Sequence, residues 1–219
     1  MIAARRDFPD RQSLASALAA DMAQNLRSAV ETKGRALLAV SGGNTPKLFF
    51  DRLSRERLDW PRITVTLVDE RCVPDSDDRS NARLVKSHLL VGNAASATFV
   101  PLYKNEKAAA NLGAFDAVTL GMGSDGHTAS FFRGGDHLAA ALDPGAKDII
   151  VSMKAATAGE PRLTFTLPQL LKARHIALHI EGDDKARALT KAMEPGAVEA
   201  MPIRAVLNAP NPLVIYWSP

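Results

Sequence analysis

Asp125 and His127 stand two residues apart in the run Gly121-Met122-Gly123-Ser124-Asp125-Gly126-His127. An imidazole beside a carboxylate is a proton-handling unit. Near its ordinary pKa of about 6.5, the neutral ring accepts a proton at cytosolic pH. The run follows an apolar stretch, Ala117-Val118-Thr119-Leu120, which reads as a buried strand. Thr128 and Ser130 come next, in what reads as the start of a helix. A strand that ends in glycines and feeds a helix N-terminus presents backbone N–H groups to an anion or oxyanion. The stretch from Phe115 to Phe132 is therefore expected to be the catalytic edge of a parallel sheet.

Two other turns carry residues of chemical interest. Ser41-Gly42-Gly43-Asn44-Thr45-Pro46 follows the apolar run Ala36 to Val40. Its glycines let backbone approach a ligand, Pro46 suits a first helical turn, and Asn44 or Thr45 is placed to cap it. An ordinary strand-to-helix turn has the same composition. Asp69-Glu70-Arg71 ends the strand Ile63 to Val68, and Ser80-Asn81 opens a helix after a polar loop. Ligand crevices in open α/β sheets lie outside such strand ends. The plain alternative is a solvated turn held by a local Asp–Arg pair. Arg71, Arg162 and Lys185 supply cations, and together with the His–Asp unit they suit an anionic small substrate attacked by activated water.

Three other chemistries fit less well. The Gly121-x-Gly123-x-x-Gly126 spacing matches the dinucleotide fingerprint, but it lies mid-chain and places His127 where close helix–strand packing is needed. No metal site emerges, because Asp125 and His127 supply only two candidate ligands. No G-x-S-x-G elbow is present for a serine nucleophile. Cys72 beside Arg71 reads as a small, partly buried residue at a strand end rather than as a thiolate.

The elements that must position these groups alternate along the chain. Ile2 to Arg6 reads as a strand. Asp10 caps a long helix with Leu14, Leu18, Met22, Leu26 and Val30 as its core stripe, stopped at Gly34. Further strands are expected at Phe99–Tyr103, Asp148–Met153, Arg162–Thr166, His175–Ile180 and Leu213–Trp217. Helices are expected at Glu106–Leu112, Leu138–Leu142, Leu167–Arg174, from Gly182 to Met193, and at Ile203–Leu207. His175 and His179 share one face of their strand and read as structural or exposed. The alternation predicts an α/β three-layer sandwich, with a mostly parallel, Rossmann-like sheet covered by helices on both faces. With 219 residues, 46% of them hydrophobic, one domain spanning 1–219 is expected. A net charge of +3 without a basic block, and few aromatics, argue against nucleic acid. No apolar run is long enough for a membrane span, and MIAARRDFPD lacks the apolar core of a secretory leader. A single cysteine fits a reducing cytosol.

Taken together, SGGNTP at 41–46, DER at 69–71 with Ser80-Asn81, GMGSDGHTASFF at 121–132, PRLTFT at 161–166 and GDDK at 182–185 resemble the 6-phosphogluconolactonase family. That family lies within the sugar-phosphate isomerase/deaminase superfamily. The resemblance covers nearly the whole chain, with the motifs in the family's order. It implies hydrolysis of 6-phosphoglucono-1,5-lactone to 6-phosphogluconate in the oxidative pentose phosphate pathway. It implies a cytoplasmic, monomeric enzyme with no metal and no organic cofactor. His127 is then the general base, with Asp125 orienting it or its loop. Arg71 and Lys185 hold the phosphate with the Ser41-Gly42-Gly43 turn, and Arg162 is a further anion contact. Asp69, Asn81 and Gly123 complete the implied substrate site. Phe131-Phe132-Arg133 departs from the Leu-Phe-Pro common in relatives, which puts the pocket wall in question. Aminosugar-phosphate deaminases share the loop but look to have Tyr at the position of Arg71, and a long lid segment that this chain lacks. A non-catalytic sugar-phosphate binding module would not need His127 and Asp125.

Overall fold

A computed structural model describes residues 2–219. Its elements are β1 (Ile2–Asp7), α1 (Arg11–Lys33), β2 (Ala36–Val40), α2 (Lys47–Leu53), β3 (Ile63–Leu67), β4 (Asp69–Arg71), α3 (Asn81–His88), β5 (Thr98–Val100) and α4 (Glu106–Ala110). They continue with β6 (Ala117–Leu120), α5 (Leu138–Leu142), β7 (Ile150–Met153), β8 (Arg162–Phe165), α6 (Leu167–Leu171), β9 (His175–Glu181), α7 (Asp183–Met193), α8 (Ile203–Leu207) and β10 (Leu213–Ser218).

Seven strands form one parallel sheet in the order β1-β10-β9-β6-β2-β3-β5. Every residue of β2 and β6 is buried. Successive side chains on a strand point to opposite faces, so both faces of the sheet are covered. Helix α1 packs on β2, β6 and β10 and against α2, while α7 packs on β9 and α8. From β2 the chain runs outward to β3 and β5, then returns to the other side of β2 at β6. The order reverses between β2 and β6, and a ligand crevice is expected at their carboxyl ends.

Helix α1 follows the pattern that its sequence predicts. The Asp10 carboxylate accepts from Ser13 N–H at 2.7 Å, and Leu14, Leu18, Met22 and Leu26 are wholly buried. Val30 is only partly buried, since the stripe drifts off the core near the helix end. Gly34 stops the helix in the left-handed region at φ 73°, its N–H donating to Val30 O at 2.8 Å. Next to this end, the buried Asp116 accepts from Leu37 N–H at 2.9 Å and pairs with Lys33. One carboxylate thus ties the start of β6 to β2 and α1, fixing the two strands that carry the glycine turns.

Three expectations are revised. The strands β4, β8 and β7 leave the parallel sheet and form a separate antiparallel one. The switch occurs at Val68, whose N–H donates to Val40 O at 2.9 Å while its carbonyl accepts from Phe165 N–H at 3.0 Å. Helix α2 has Pro46 at its N-cap position and no side-chain cap, so neither Asn44 nor Thr45 caps it. No helix begins at His127. Gly126 at φ 82° and Ala129 at φ 48° lie in the left-handed region, which a right-handed helix excludes, and the next helix is α5.

Replacing Gly34 tests how much its conformation contributes. A Cβ there meets nothing closer than Arg62 Nη1 at 4.0 Å, so the cost is backbone strain alone. Gly34→Ala is expected to lower stability by about 1 kcal/mol and Tm by about 2–4 °C, with kcat unchanged. Thermal melting checks this, and an unchanged Tm would remove the strain argument.

Candidate active site

A cleft of about 330 Å³ opens at the carboxyl ends of β2 and β6. Ser41, Gly42 and Gly43 line it from the turn after β2, and Gly123 and His127 from the loop after β6. Asp69 and Arg71 reach it from β4, Asn81 from the first turn of α3, Arg162 from β8 and Lys185 from α7. Of the residues expected to act on the substrate, only Asp125 is outside the lining, bonded to the histidine.

His127 is held by the loop's own hydrogen bonds. Its Nδ1 lies 2.5 Å from Asp125 Oδ1, which also accepts His127 N–H at 3.1 Å. A carboxylate only accepts, so the ring proton sits on Nδ1. Nε2 is left without a protein partner among the described residues, on a ring that lines the cleft. The same hydrogen bond holds the Asp125 carboxyl down to about 2, below the usual carboxylate range. Gly123 N–H donates to His127 O at 2.9 Å, Gly126 N–H to Gly123 O at 3.0 Å, and Thr128 Oγ1 to Gly121 O at 2.7 Å. Phe132 backs the ring, with centroids 4.7 Å apart. Of Phe131-Phe132-Arg133, only Phe132 lines the cleft; Phe131 is buried in the core and Arg133 is exposed, so the departure from the relatives' pattern leaves this wall in place.

The glycine N–H groups after β6 are not open to an anion. Gly123 and Gly126 N–H groups are spent inside the loop, and Gly121 N–H donates to Ser41 Oγ at 3.0 Å. Gly42 and Gly43 N–H groups, in contrast, donate to no protein group among the described residues. Gly43 also takes φ 90°, a conformation that favours glycine.

The cations fall into two groups. Lys185 Nζ donates to Thr45 Oγ1 at 2.9 Å, so the residue expected to cap α2 instead holds a lysine against the glycine turn. Burial pulls the Lys185 ammonium below the ordinary lysine range, with Glu181 opposing. Arg71 and Arg162 face one another across the antiparallel β4–β8 pair. Burial lowers the Arg162 pKa, and repulsion from Arg71 lowers it further. The Nε atom of each is buried without a partner. Arg71 also donates from Nη1 to Arg79 O, and Arg162 from Nη2 to Ala158 O at 2.8 Å. Two like charges side by side in a cleft are suited to an anion, which would offset their repulsion. Arg162 also lies over the Phe132 ring, 5.6 Å from its centroid.

The DER segment is not a solvated turn: Asp69 and Glu70 are both buried. Asp69 accepts from Ser130 Oγ at 2.6 Å, linking β4 to the histidine loop. Asn81 Nδ2 donates to Asp69 O at 3.0 Å. His179, expected to be structural or exposed, is buried beside Glu181 at 2.9 Å and lines the cleft as well. Thr157 joins the lining from a loop in which no sequence signal marks it. Burial pushes the Cys72 thiol up, consistent with a packed residue and not a thiolate. No group of three or more metal-ligating side chains occurs among the described residues.

Gly42 is the position where close approach is tightest. A Cβ there would lie 1.9 Å from Asn81 Oδ1, whose side chain is buried and bonded to Asp69. Gly42→Ala must displace Asn81 and is expected to reduce kcat/KM roughly tenfold or more, the worth of one lost buried hydrogen bond. Adding Asn81→Gly relieves the overlap, so the double variant is expected to melt higher than Gly42→Ala alone. Steady-state kinetics and melting curves on the three variants check both statements.

A family model described as glucosamine-6-phosphate isomerases/6-phosphogluconolactonase matches residues 9–217. A 6-phosphogluconolactonase of Rhizobium meliloti is 52% identical, with 97% of each chain covered. One from Mesorhizobium japonicum is 51% identical over 97% of this chain and 94% of its own. The crystal structure of a 6-phosphogluconolactonase from Shewanella baltica superposes with a TM-score of 0.94 at 38% identity, covering 99% of this chain and 97% of the other. The fold, the cleft and these likenesses agree, and the chain belongs to the glucosamine-6-phosphate isomerase/6-phosphogluconolactonase family.

Proposed function

We propose that this protein hydrolyses 6-phospho-D-glucono-1,5-lactone to 6-phospho-D-gluconate in the oxidative pentose phosphate pathway. His127 activates the attacking water. The observation that carries the reading is the Asp125–His127 contact, which fixes the ring proton on Nδ1 and leaves Nε2 to accept another. The 52% identity to a 6-phosphogluconolactonase supports the substrate.

Water attacks the lactone carbonyl carbon as Nε2 takes its proton. The electron pair of the carbonyl moves onto oxygen, giving a tetrahedral oxyanion. Its collapse breaks the bond to the ring oxygen, which leaves with the proton from the imidazolium. The products are a hydroxyl and a carboxylic acid that ionises. A lactone is an activated ester, so no serine or cysteine nucleophile is needed. Arg71 and Lys185 grip the phosphate, with the free N–H groups of Gly42 and Gly43, and Arg162 is a further anion contact. Asp69 and Asn81 shape the floor between them.

The reaction needs no metal and no organic cofactor in this scheme, and one chain supplies every group it uses; the protein is read as a cytoplasmic monomer. The single cysteine supports a reducing compartment. No described helix is long and apolar enough to cross a membrane.

His127→Asn is expected to lower kcat by at least ~10²-fold with little change in KM, since general-base help is worth roughly 10²–10⁴-fold. Rates are compared after subtraction of spontaneous hydrolysis. Asp125 stays ionised down to about pH 2, so its hold on Nδ1 persists across the working range. A folded His127→Asn protein with wild-type kcat would falsify the mechanism. Dialysis against a strong chelator is expected to leave activity intact, and loss restored by zinc or magnesium would overturn the assignment of water activation to His127.

A further inference from the structure

The middle residue of the DER segment has no role in the scheme above. Glu70 is 1% exposed, yet it carries a carboxylate. Burial pushes its pKa above the usual range, and three backbone N–H groups pull it back. Its Oε1 accepts Arg71 N–H at 2.7 Å and Asn81 N–H at 2.9 Å. Its Oε2 accepts Ala82 N–H at 2.7 Å and Ser80 Oγ at 3.1 Å. All four donors belong either to Arg71 itself or to the start of α3. The carboxylate therefore clamps β4 to a helix N-terminus, where the unspent N–H groups and the helix dipole favour a negative charge.

Both clamped segments serve the cleft. Arg71 is a cleft-lining cation standing against the like charge of Arg162, with its Nε unpartnered. Repulsion between the guanidiniums would move Arg71 away unless its main chain is fixed. Asn81, held by the same oxygen, reaches the Asp69 carbonyl and fills the space against Gly42. We propose that Glu70 is a positioning residue that holds Arg71 in place for the substrate phosphate. It touches no substrate and acts through Arg71. The inference rests on the reading of Arg71 as a phosphate contact.

Glu70→Gln keeps the shape and removes the charge. At Oε1 the amide nitrogen would face two backbone donors. At Oε2 it would face Ala82 N–H, since only the Ser80 hydroxyl can turn to accept. One donor–donor conflict is unavoidable, and β4 and α3 separate. E70Q is expected to raise KM for the phosphorylated lactone about tenfold, with kcat changed less than about threefold. A double-mutant cycle with Arg71→Ala separates positioning from mere support of the fold. If Glu70 acts through Arg71, the loss in kcat/KM caused by E70Q shrinks to about threefold or less once Arg71 is gone. A purely structural role predicts the same loss in both backgrounds, and that result, or wild-type KM in folded E70Q, overturns the proposal. R71A alone tells the two failures apart. Wild-type KM in R71A removes the phosphate assignment and the positioning with it. A weakened R71A beside a normal E70Q removes only the positioning. Should E70Q not fold, Glu70→Asp and Ser80→Ala, which shorten the reach and delete one donor, carry the same cycle with the same outcomes.

Discussion

The ring of His127 occupies space that a side chain at position 123 would need. A Cβ on Gly123 would lie 2.3 Å from His127 Cε1 and 2.6 Å from Asp125 Oδ1. Backbone and imidazole are therefore in contact, and the backbone fixes the ring more firmly than a rotamer preference does. Asp125 closes the other side by taking Nδ1 and the main-chain N–H of the same residue. The positive φ angles at Gly126 and Ala129 bend the loop into this shape. Residues held in that region away from glycine are costly and persist where surrounding structure determines them. For Ala129 that structure is visible: Thr128 and Phe131 form a bridge, and Ser130 is anchored on Asp69.

The same anchor connects the histidine side of the cleft to the side that carries the two arginines. Asp69 bonds Ser130 of the histidine loop through its side chain and Asn81 of α3 through its carbonyl. Asn81 in turn abuts Gly42. A displacement in the antiparallel β4–β8 pair, which carries Arg71 and Arg162, would reach His127 through these contacts. Half-buried like charges are tolerated there because the fold offsets them in place: Asp69, Glu160 and Glu70 lie nearby, and Phe132 offers its ring to Arg162. Cation–π contacts and charge-assisted hydrogen bonds gain strength as water is excluded. In the proposed reading, the arginines would meet the substrate anion already partly desolvated.

Much of this was legible in the sequence, and the illegible parts have physical causes. Helix α1 announced itself through Asp10, Gly34 and the four-residue spacing of Leu14, Leu18, Met22 and Leu26, all local signals. The central strands β2 and β6 showed as apolar runs because both faces are buried. The second sheet did not show, because the switch at Val68 is a matter of which carbonyl accepts which N–H, and no residue type encodes it. The missing helix after His127 had a local signal in Gly126, but the left-handed turn at Ala129 has no propensity to betray it. Ordered motifs named the cleft residues well, and His179 is structural as one of its two readings had it, yet Glu70 was passed over. Its place depends on burial and on partners at the start of α3, which single-strand periodicity cannot supply.

The depression of the Asp125 pKa bears on how the proton cycle closes. For a group lowered to about 2, the stability that its ionised form contributes is present above its unfolded value of about 3.9 and is lost as pH falls between the two. Asp125 is half exposed, so solvent screening keeps that contribution small. Its role is therefore better sought in chemistry than in folding. In the mechanism proposed above, an aspartate that stays ionised across the working range would keep the Nδ1 proton in place at every step, so that only Nε2 gains and loses one. The imidazolium formed on deprotonating water would then face a fixed negative charge on one side and the departing ring oxygen on the other. The one proton it could release into the cleft would be the one taken from water, and returning that proton would leave the enzyme in its starting tautomer.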